Sequence, residues 1–353
     1  MGGRFDGMVL YVHAGAGKTG STTIQMSLRE SQSQLRQFGI SYAGLNFEYG
    51  CSRRFGWQKP NGWDEVRNLG ENRTSQLVSV MRDCIETASN EGLRAVVWSN
   101  ESLFSELDKI KDALRVVASW GVAIVSVCYV RRHDFWSQSA YAQWGIKHKV
   151  YSGRLLSFSN WSKRYLINYS GNIRKWKDVP GVELMVRNFD ATEDVLSDFL
   201  EVLSLSPDAI TRRSSNETPS LPVLKLWALH NNEYEEPVLP AELEGLFNEA
   251  GAFGVRAESV SLEALLPSES DLRKVLLDTA EDQAEVSRFL EEGGQKPFSK
   301  CEVKAKRREV SSDEVDAVLL WVVKSQYKMI KKLQSRVKSL SDRVEKIEKD
   351  GAQ

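Results

Sequence analysis

Cysteine is scarce in this sequence, and what there is does not cluster. Cys51, Cys84, Cys128 and Cys301 are scattered along the 353 residues, with no CxxC pair and no histidine group beside them. That pattern argues against a zinc site and against a dense disulfide framework. Long apolar runs are missing as well. No segment approaches the roughly 20 residues that a membrane helix needs, and Met8 to Val12 is too short for the core of a signal peptide. The expectation is a cytoplasmic protein with no transmembrane segment. An excess of charge of one sign is also lacking, since 47 Lys and Arg stand against 48 Asp and Glu for a net charge of −1. Any anion must therefore be held by a local arrangement, and nucleic acid is not an expected partner. What is present, 41% hydrophobic and 27% charged residues, is ordinary for a globular protein with a sizeable core.

The first half of the chain alternates short apolar runs with amphipathic stretches. Met8 to His13 reads as a strand that stops at a glycine-rich turn, and Thr22 to Phe38 has helical spacing. Ile40–Ala43, Arg94–Trp98, Val122–Val130 and Val182–Val186 read as further strands. Gln76–Ala88, Leu107–Trp120, residues 133–149 and Thr192–Leu203 read as helices. Continuous apolar strands alternating with helices predict an α/β fold: a mainly parallel sheet covered on both faces, in a P-loop-like three-layer arrangement. Residues 44–73 break the pattern; they are rich in Gly, Asn, Arg and aromatics and have no clear period. A loop of that length in a compact domain is usually mobile or functional.

After about residue 211 the strand signal fades and 219–295 read as mostly helical, interrupted by Pro237, Pro240 and Pro267. Lys300 to Arg308 is a basic linker. Beyond it Val323, Gln326, Ile330, Leu333, Val337, Leu340, Val344 and Ile347 advance in alternating steps of 3 and 4. That is a coiled-coil seam of about three and a half heptads, and it predicts a homo-oligomer. The expected organisation is a domain over 1–298 (core about 1–210, helical elaboration 211–298), a linker over 299–312 and a coiled-coil tail over 313–353.

Gly15-Ala-Gly-Lys-Thr-Gly-Ser-Thr22 carries the chemistry. A glycine turn at a helix N-terminus offers backbone N–H groups to a phosphate, Lys18 adds a cation, and Ser21, Thr22 and Thr23 add hydroxyls. An NTPase or kinase is the first rival reading. A Walker A loop requires glycine five residues before its Gly-Lys pair, and Val12 occupies that place. The later strands end in Ser99-Asn100-Glu101 and Arg131-Arg132, without the aspartate expected for magnesium.

Lys18-Thr-Gly-Ser-Thr22 after a first strand resembles the 5′-phosphosulfate loop of the sulfotransferases that use 3′-phosphoadenosine 5′-phosphosulfate (PAPS), in particular their bacterial branch. A second signature of that family, an Arg at a strand end with a Ser eight residues on, is matched by Arg131 and Ser139. Looser matches run through Leu35–Tyr42, Ser99–Glu101 and Asn216–Thr218, so the resemblance spans about 8–295 and leaves the tail outside. It implies that Gly17, Lys18, Thr19, Gly20, Ser21 and Thr22 hold the 5′-phosphosulfate, and that Arg131 and Ser139 grip the 3′-phosphate. It further implies that Lys18 stabilises the departing oxygen, and that a His or Glu deprotonates the acceptor hydroxyl. The acceptor is a carbohydrate, lipid or small molecule, the product 3′-phosphoadenosine 5′-phosphate (PAP), and no metal is implied.

Glu101, at the end of a strand, is the first choice for the base and His13 the second; His133 and His148 read as helix-surface residues. Trp57, Trp63, Trp136, Tyr141 and Trp144 are candidates for the acceptor pocket, and Arg132 reads either as a helper of Arg131 or as a solvated strand-end residue. A non-catalytic adaptor assembled through the coiled coil is the remaining alternative.

Overall fold

The computed structural model describes residues 5–213, 221–238 and 261–350. The Asn216–Thr218 segment and the helical reading of 239–260 lie outside the described residues. Five strands form one parallel sheet: β1 (Val9–His13), β2 (Ile40–Gly44), β3 (Ala95–Ser99), β4 (Ala123–Val130) and β5 (Val182–Asn188), in the order β2-β3-β1-β4-β5. The predicted α/β class is the observed one. The β-branched run at 122–130 forms an interior strand because it pairs on both sides, with β1 and with β5.

Strand alternation divides the core between the two faces of the sheet. Leu10, Val12, Val96 and Trp98 face the helices α2 (Asn72–Asn90) and α3 (Lys111–Ala118). Tyr11, Val97, Val127 and Tyr129 pack with α1 (Ser21–Glu30) and, further along the chain, Val195–Val202. The single helix expected from Thr22 to Phe38 is broken at Ser31, where a second helix, Gln32–Gln37, begins. The strand order reverses between β1 and β4, and in open parallel sheets ligands collect at the carboxyl ends beside such a reversal.

Three aromatic residues of the aperiodic stretch 44–73 belong to the core. Phe47, Trp57 and Trp63 are buried with Trp98, and the Trp57 indole donates to Gln76 at 2.8 Å. Trp57 and Trp63 therefore do not line an acceptor pocket; their rings fill the space over one face of the sheet. Cys51 of this stretch is joined to Cys84 of α2 by a disulfide, with Cα atoms 4.7 Å apart. The sequence spacing gave no hint of this pair, because the partners meet only when the loop folds back on the helix. No helix among the described residues is long and apolar enough to cross a membrane.

The chain separates into two compact units, Met1–Ala140 with Tyr165–Glu217 and Leu272–Val303, and Tyr141–Arg164 with Thr218–Asp271 and Lys304–Gln353. Both are assembled from non-contiguous segments, which a reading along the sequence does not anticipate. The first contains the sheet. In the second, a π-helical stretch over Tyr141–Lys147 packs against the helix Leu221–Asn232. Tyr141 is buried there with its hydroxyl donating to the Leu156 carbonyl at 2.7 Å. Lys149 is buried too, its ammonium donating to the carbonyls of Gly153 and Tyr234. The predicted tail is one helix, Ser312–Asp350.

Candidate functional site

β1 ends at His13, α1 begins at Ser21, and the glycine loop bridges them at the carboxyl edge of the sheet. Two residues of the loop have left-handed backbone, Lys18 at φ 72° and Gly20 at φ 82°. Glycine takes that conformation freely, whereas lysine there costs roughly 1–2 kcal/mol. No side chain caps the start of α1.

Three successive loop carbonyls are each tied to a donor. The Thr19 hydroxyl donates to Ala16, the Trp136 indole to Gly17 at 3.0 Å, and the Arg131 guanidinium to Lys18 at 3.4 Å. In a trans peptide the following N–H points opposite to the carbonyl. Fixing these oxygens therefore turns the amides of Gly17, Lys18 and Thr19 the other way, as an anion cradle requires. Ser21 is buried with an unpartnered hydroxyl. Two glycines hold the loop close to its surroundings. A Cβ on Gly15 would sit 2.7 Å from the Ser21 Oγ and 2.8 Å from the His13 Nε2, and one on Gly20 would meet Val195 at 2.8 Å. Gly20→Ala combines that clash with an unfavourable φ. It should lower stability by roughly 1–3 kcal/mol, read as a lower urea midpoint.

Arg131 follows β4, and Ser139 lies on α4 (His133–Ala140). The helix brings the serine back to the arginine, with Nη1 3.1 Å from the hydroxyl oxygen. The Arg131 Nε donates to Asp190 at 3.2 Å, and the rings of Phe189 and Phe135 flank the guanidinium at 5.2 and 6.0 Å. Asp190 also accepts from the Arg132 backbone N–H at 2.7 Å. Burial pushes its carboxyl above the usual aspartate range against the pull of these donors. Arg132 points elsewhere. Its guanidinium makes two 2.7 Å bonds to the buried Asp134 and reaches the Ser299 carbonyl at 2.9 Å, so it braces the fold rather than helping Arg131.

Glu101 begins a short 3₁₀ helix after β3, and the cap of that helix is Asn100, whose side-chain oxygen accepts from the Ser102 N–H at 3.0 Å. The Glu101 carboxylate is thus free of capping duty. It reaches solvent, yet the protein crowding it raises its pKa, while the Lys18 ammonium pulls the other way.

His13 is fully buried under the loop. Its Nδ1 lies 2.7 Å from the Ser99 hydroxyl, Tyr129 and Phe199 enclose the ring, and desolvation lowers its pKa to about 3. An enclosed neutral ring cannot meet an acceptor hydroxyl, so His13 supports the loop and is not a base facing substrate. His133, expected on a helix surface, is also buried; its Nε2 lies 2.7 Å from Asp282, whose carboxylate accepts from the N–H groups of Tyr169 and Ser170 at the start of another helix. His148 is half-buried in the second unit.

The structure thus gathers the loop, Arg131, Ser139 and Glu101 at one edge of the sheet. Asp190 is an addition to the expected set, and Trp136, expected at the acceptor pocket, instead ties down the loop through the Gly17 carbonyl. No local pattern in the sequence points to Asp190, which stands 59 residues from Arg131; the bond from Trp136 to the loop appears only once α4 is placed beside it. Among the described residues no group of three or more His, Cys, Asp or Glu is arranged to hold a metal ion.

No protein-family model matches the chain, and neither does any curated protein. Two solved structures show slight similarity. One comes from the PezAT chromosomal toxin–antitoxin system of Streptococcus pneumoniae, at 11% identity and TM-score 0.27, covering 54% of this chain and 73% of the other. The second is PAB0955, a GTPase from Pyrococcus abyssi in its apo form, at 12% identity and TM-score 0.22, covering 56% and 97%. Likeness at that level carries no functional argument, and the site has to be read from its own geometry.

Proposed function

We propose that the protein transfers the sulfuryl group of PAPS to an acceptor hydroxyl. The observation that carries this reading is the contact of Arg131 with Ser139 and with the loop carbonyl of Lys18. It sets a cation and a hydroxyl for a second phosphate beside the cradle for the first. A donor with phosphates at both its 5′ and 3′ positions needs two such anion sites.

In this reading the loop amides, that of Thr19 among them, and the hydroxyls of Ser21 and Thr22 bind the 5′-phosphosulfate, and Arg131 with Ser139 binds the 3′-phosphate. The acceptor oxygen forms a bond to sulfur as the bond from sulfur to the bridging phosphate oxygen breaks. Lys18 stabilises the charge developing on that bridging oxygen. Glu101 takes the acceptor proton, and PAP leaves. The acceptor belongs to the hydroxyl class; carbohydrates, lipids and small metabolites are to be screened with ³⁵S-labelled PAPS. Labelled product from at least one acceptor supports the reading. Failure to bind PAP in calorimetry, with tight binding of ATP or GTP instead, would turn it toward an NTPase or kinase. PAP binding without turnover on any acceptor favours the adaptor.

The Glu101 carboxyl gives a pH test. A base must be deprotonated, so kcat/KM should fall as pH drops through its pKa. Because burial raises that pKa, the fall should begin above the ordinary glutamate range. In Glu101→Gln the rate should drop by about 100-fold or more, and this acid limb should vanish. An unchanged profile in the variant assigns the proton to another group.

A further inference from the structure

The long helix Ser312–Asp350 carries an apolar face that its own unit leaves bare. The helix Leu221–Asn232 packs against the long helix, yet Val323 (59%), Leu333 (55%) and Val337 (64%) stay more than half exposed, as do Ile330, Leu340 and Val344. These residues form the seam that alternates in steps of 3 and 4, and a step of 3 from the first position of a heptad defines d. Val323, Ile330, Val337 and Val344 thus fall at a, and Gln326, Leu333, Leu340 and Ile347 at d.

Every a position of the seam is β-branched and two of the d positions are leucine. That distribution favours two parallel strands, because it suits the side-chain directions at the two kinds of layer in a parallel dimer. Charge points the same way. In a parallel pair each g residue faces the e residue of the next heptad on the partner, which sets Arg343 against Glu348 and Arg336 against the neutral Ser341. An antiparallel pair sets g against g, and Val322, Met329, Arg336, Arg343 and Asp350 include two arginines against a single acid at the end of the helix. The other lysines of this stretch, such as Lys324, Lys328, Lys331 and Lys338, lie at b and f, away from the seam.

We propose that this face binds a second copy of the same chain, forming a parallel two-stranded coiled coil along 323–347. The partner is self-complementary in both shape and charge. Donor chemistry plays no part in the argument, so the proposal stands or falls separately from the transferase reading.

Full-length protein carrying Cys301→Ser and Val344→Cys tests it. Of the remaining thiols, Cys128 is buried and the other two are paired. Light scattering should give twice the 39.9 kDa of one chain. In a glutathione redox buffer most of the protein should run as a covalent dimer on a non-reducing gel, since in a parallel pair the two substituted a positions face each other. Adding Leu333→Glu should return the mass to one chain and abolish the cross-link. Its urea midpoint, unchanged once measured under monomeric conditions, shows that the folded units are intact. The proposal is overturned by a single-chain mass in the parent, by a mass of three or more chains, or by a dimer that persists with Leu333→Glu. A dimer that cross-links only when Val344→Cys and Gln326→Cys chains are mixed is antiparallel and overturns it as well.

Discussion

Lys18→Ala should lower the rate of sulfuryl transfer by at least about 100-fold, the usual scale for losing one group that stabilises charge in a transition state. The larger lesson comes from comparing it with Lys18→Gly. Lys18 occupies left-handed backbone at φ 72°, a conformation that costs an L residue roughly 1–2 kcal/mol and glycine almost nothing. Alanine keeps that cost. Glycine removes it, offset in part by the greater freedom of the unfolded chain, for which roughly 0.4–1 kcal/mol is typical. Lys18→Gly should therefore be at least as stable as the parent in urea while matching Lys18→Ala in lost activity. A site that holds a functional side chain in strained backbone behaves this way. A purely structural lysine would show the reverse, with activity retained in proportion to stability. The ammonium also pulls the Glu101 pKa down, so the residual activity of either variant should have its acid limb at higher pH than the parent.

Arg131→Ala should weaken PAP binding by about 10- to 100-fold, from the roughly 1.5–3 kcal/mol of hydrogen bonds to a charged group. The arginine also donates to the Lys18 carbonyl and to Asp190, so a loss of affinity alone does not separate a phosphate contact from support of the loop. Adenosine 5′-phosphosulfate, which has no 3′-phosphate, separates them. If Arg131 grips that phosphate, its affinity should change little while PAP affinity falls. Equal losses for both nucleotides would make Arg131 a support for the loop and move the second anion site elsewhere. Arg131→Lys keeps the charge but cannot bridge Ser139, Asp190 and the loop with one planar group, and it should lie between the two.

Much of the first unit was legible in the sequence because its signals are local. Apolar runs such as Val122–Val130 become strands, and a glycine turn between a strand and a helix is set by backbone preferences over a few residues. The spacing of Arg131 and Ser139 was legible too, since eight residues spanning a strand end and a helix can return a side chain to its start. Trp57 and Trp63 misled because an aromatic-rich stretch without a period looks like a loop, and only the sheet beneath it shows that the rings are core. His13 misled for a related reason: its place before the loop is a matter of sequence, but whether it faces substrate or core depends on which way its strand presents it.

By itself, then, the sequence determined the α/β class, the glycine turn between β1 and α1 and the alternating 3-and-4 spacing along the tail helix, all patterns that repeat or close within one or two elements. The tertiary structure decided which groups meet. It turned the loop amides outward by tying three carbonyls to Thr19, Trp136 and Arg131, and brought Asp190 from the end of β5 to the Arg131 guanidinium. It also paired Cys51 with Cys84 and sealed His13 beneath the loop. These depend on strand order and on helices packed across a sheet, contacts between residues far apart in the chain that no local period encodes.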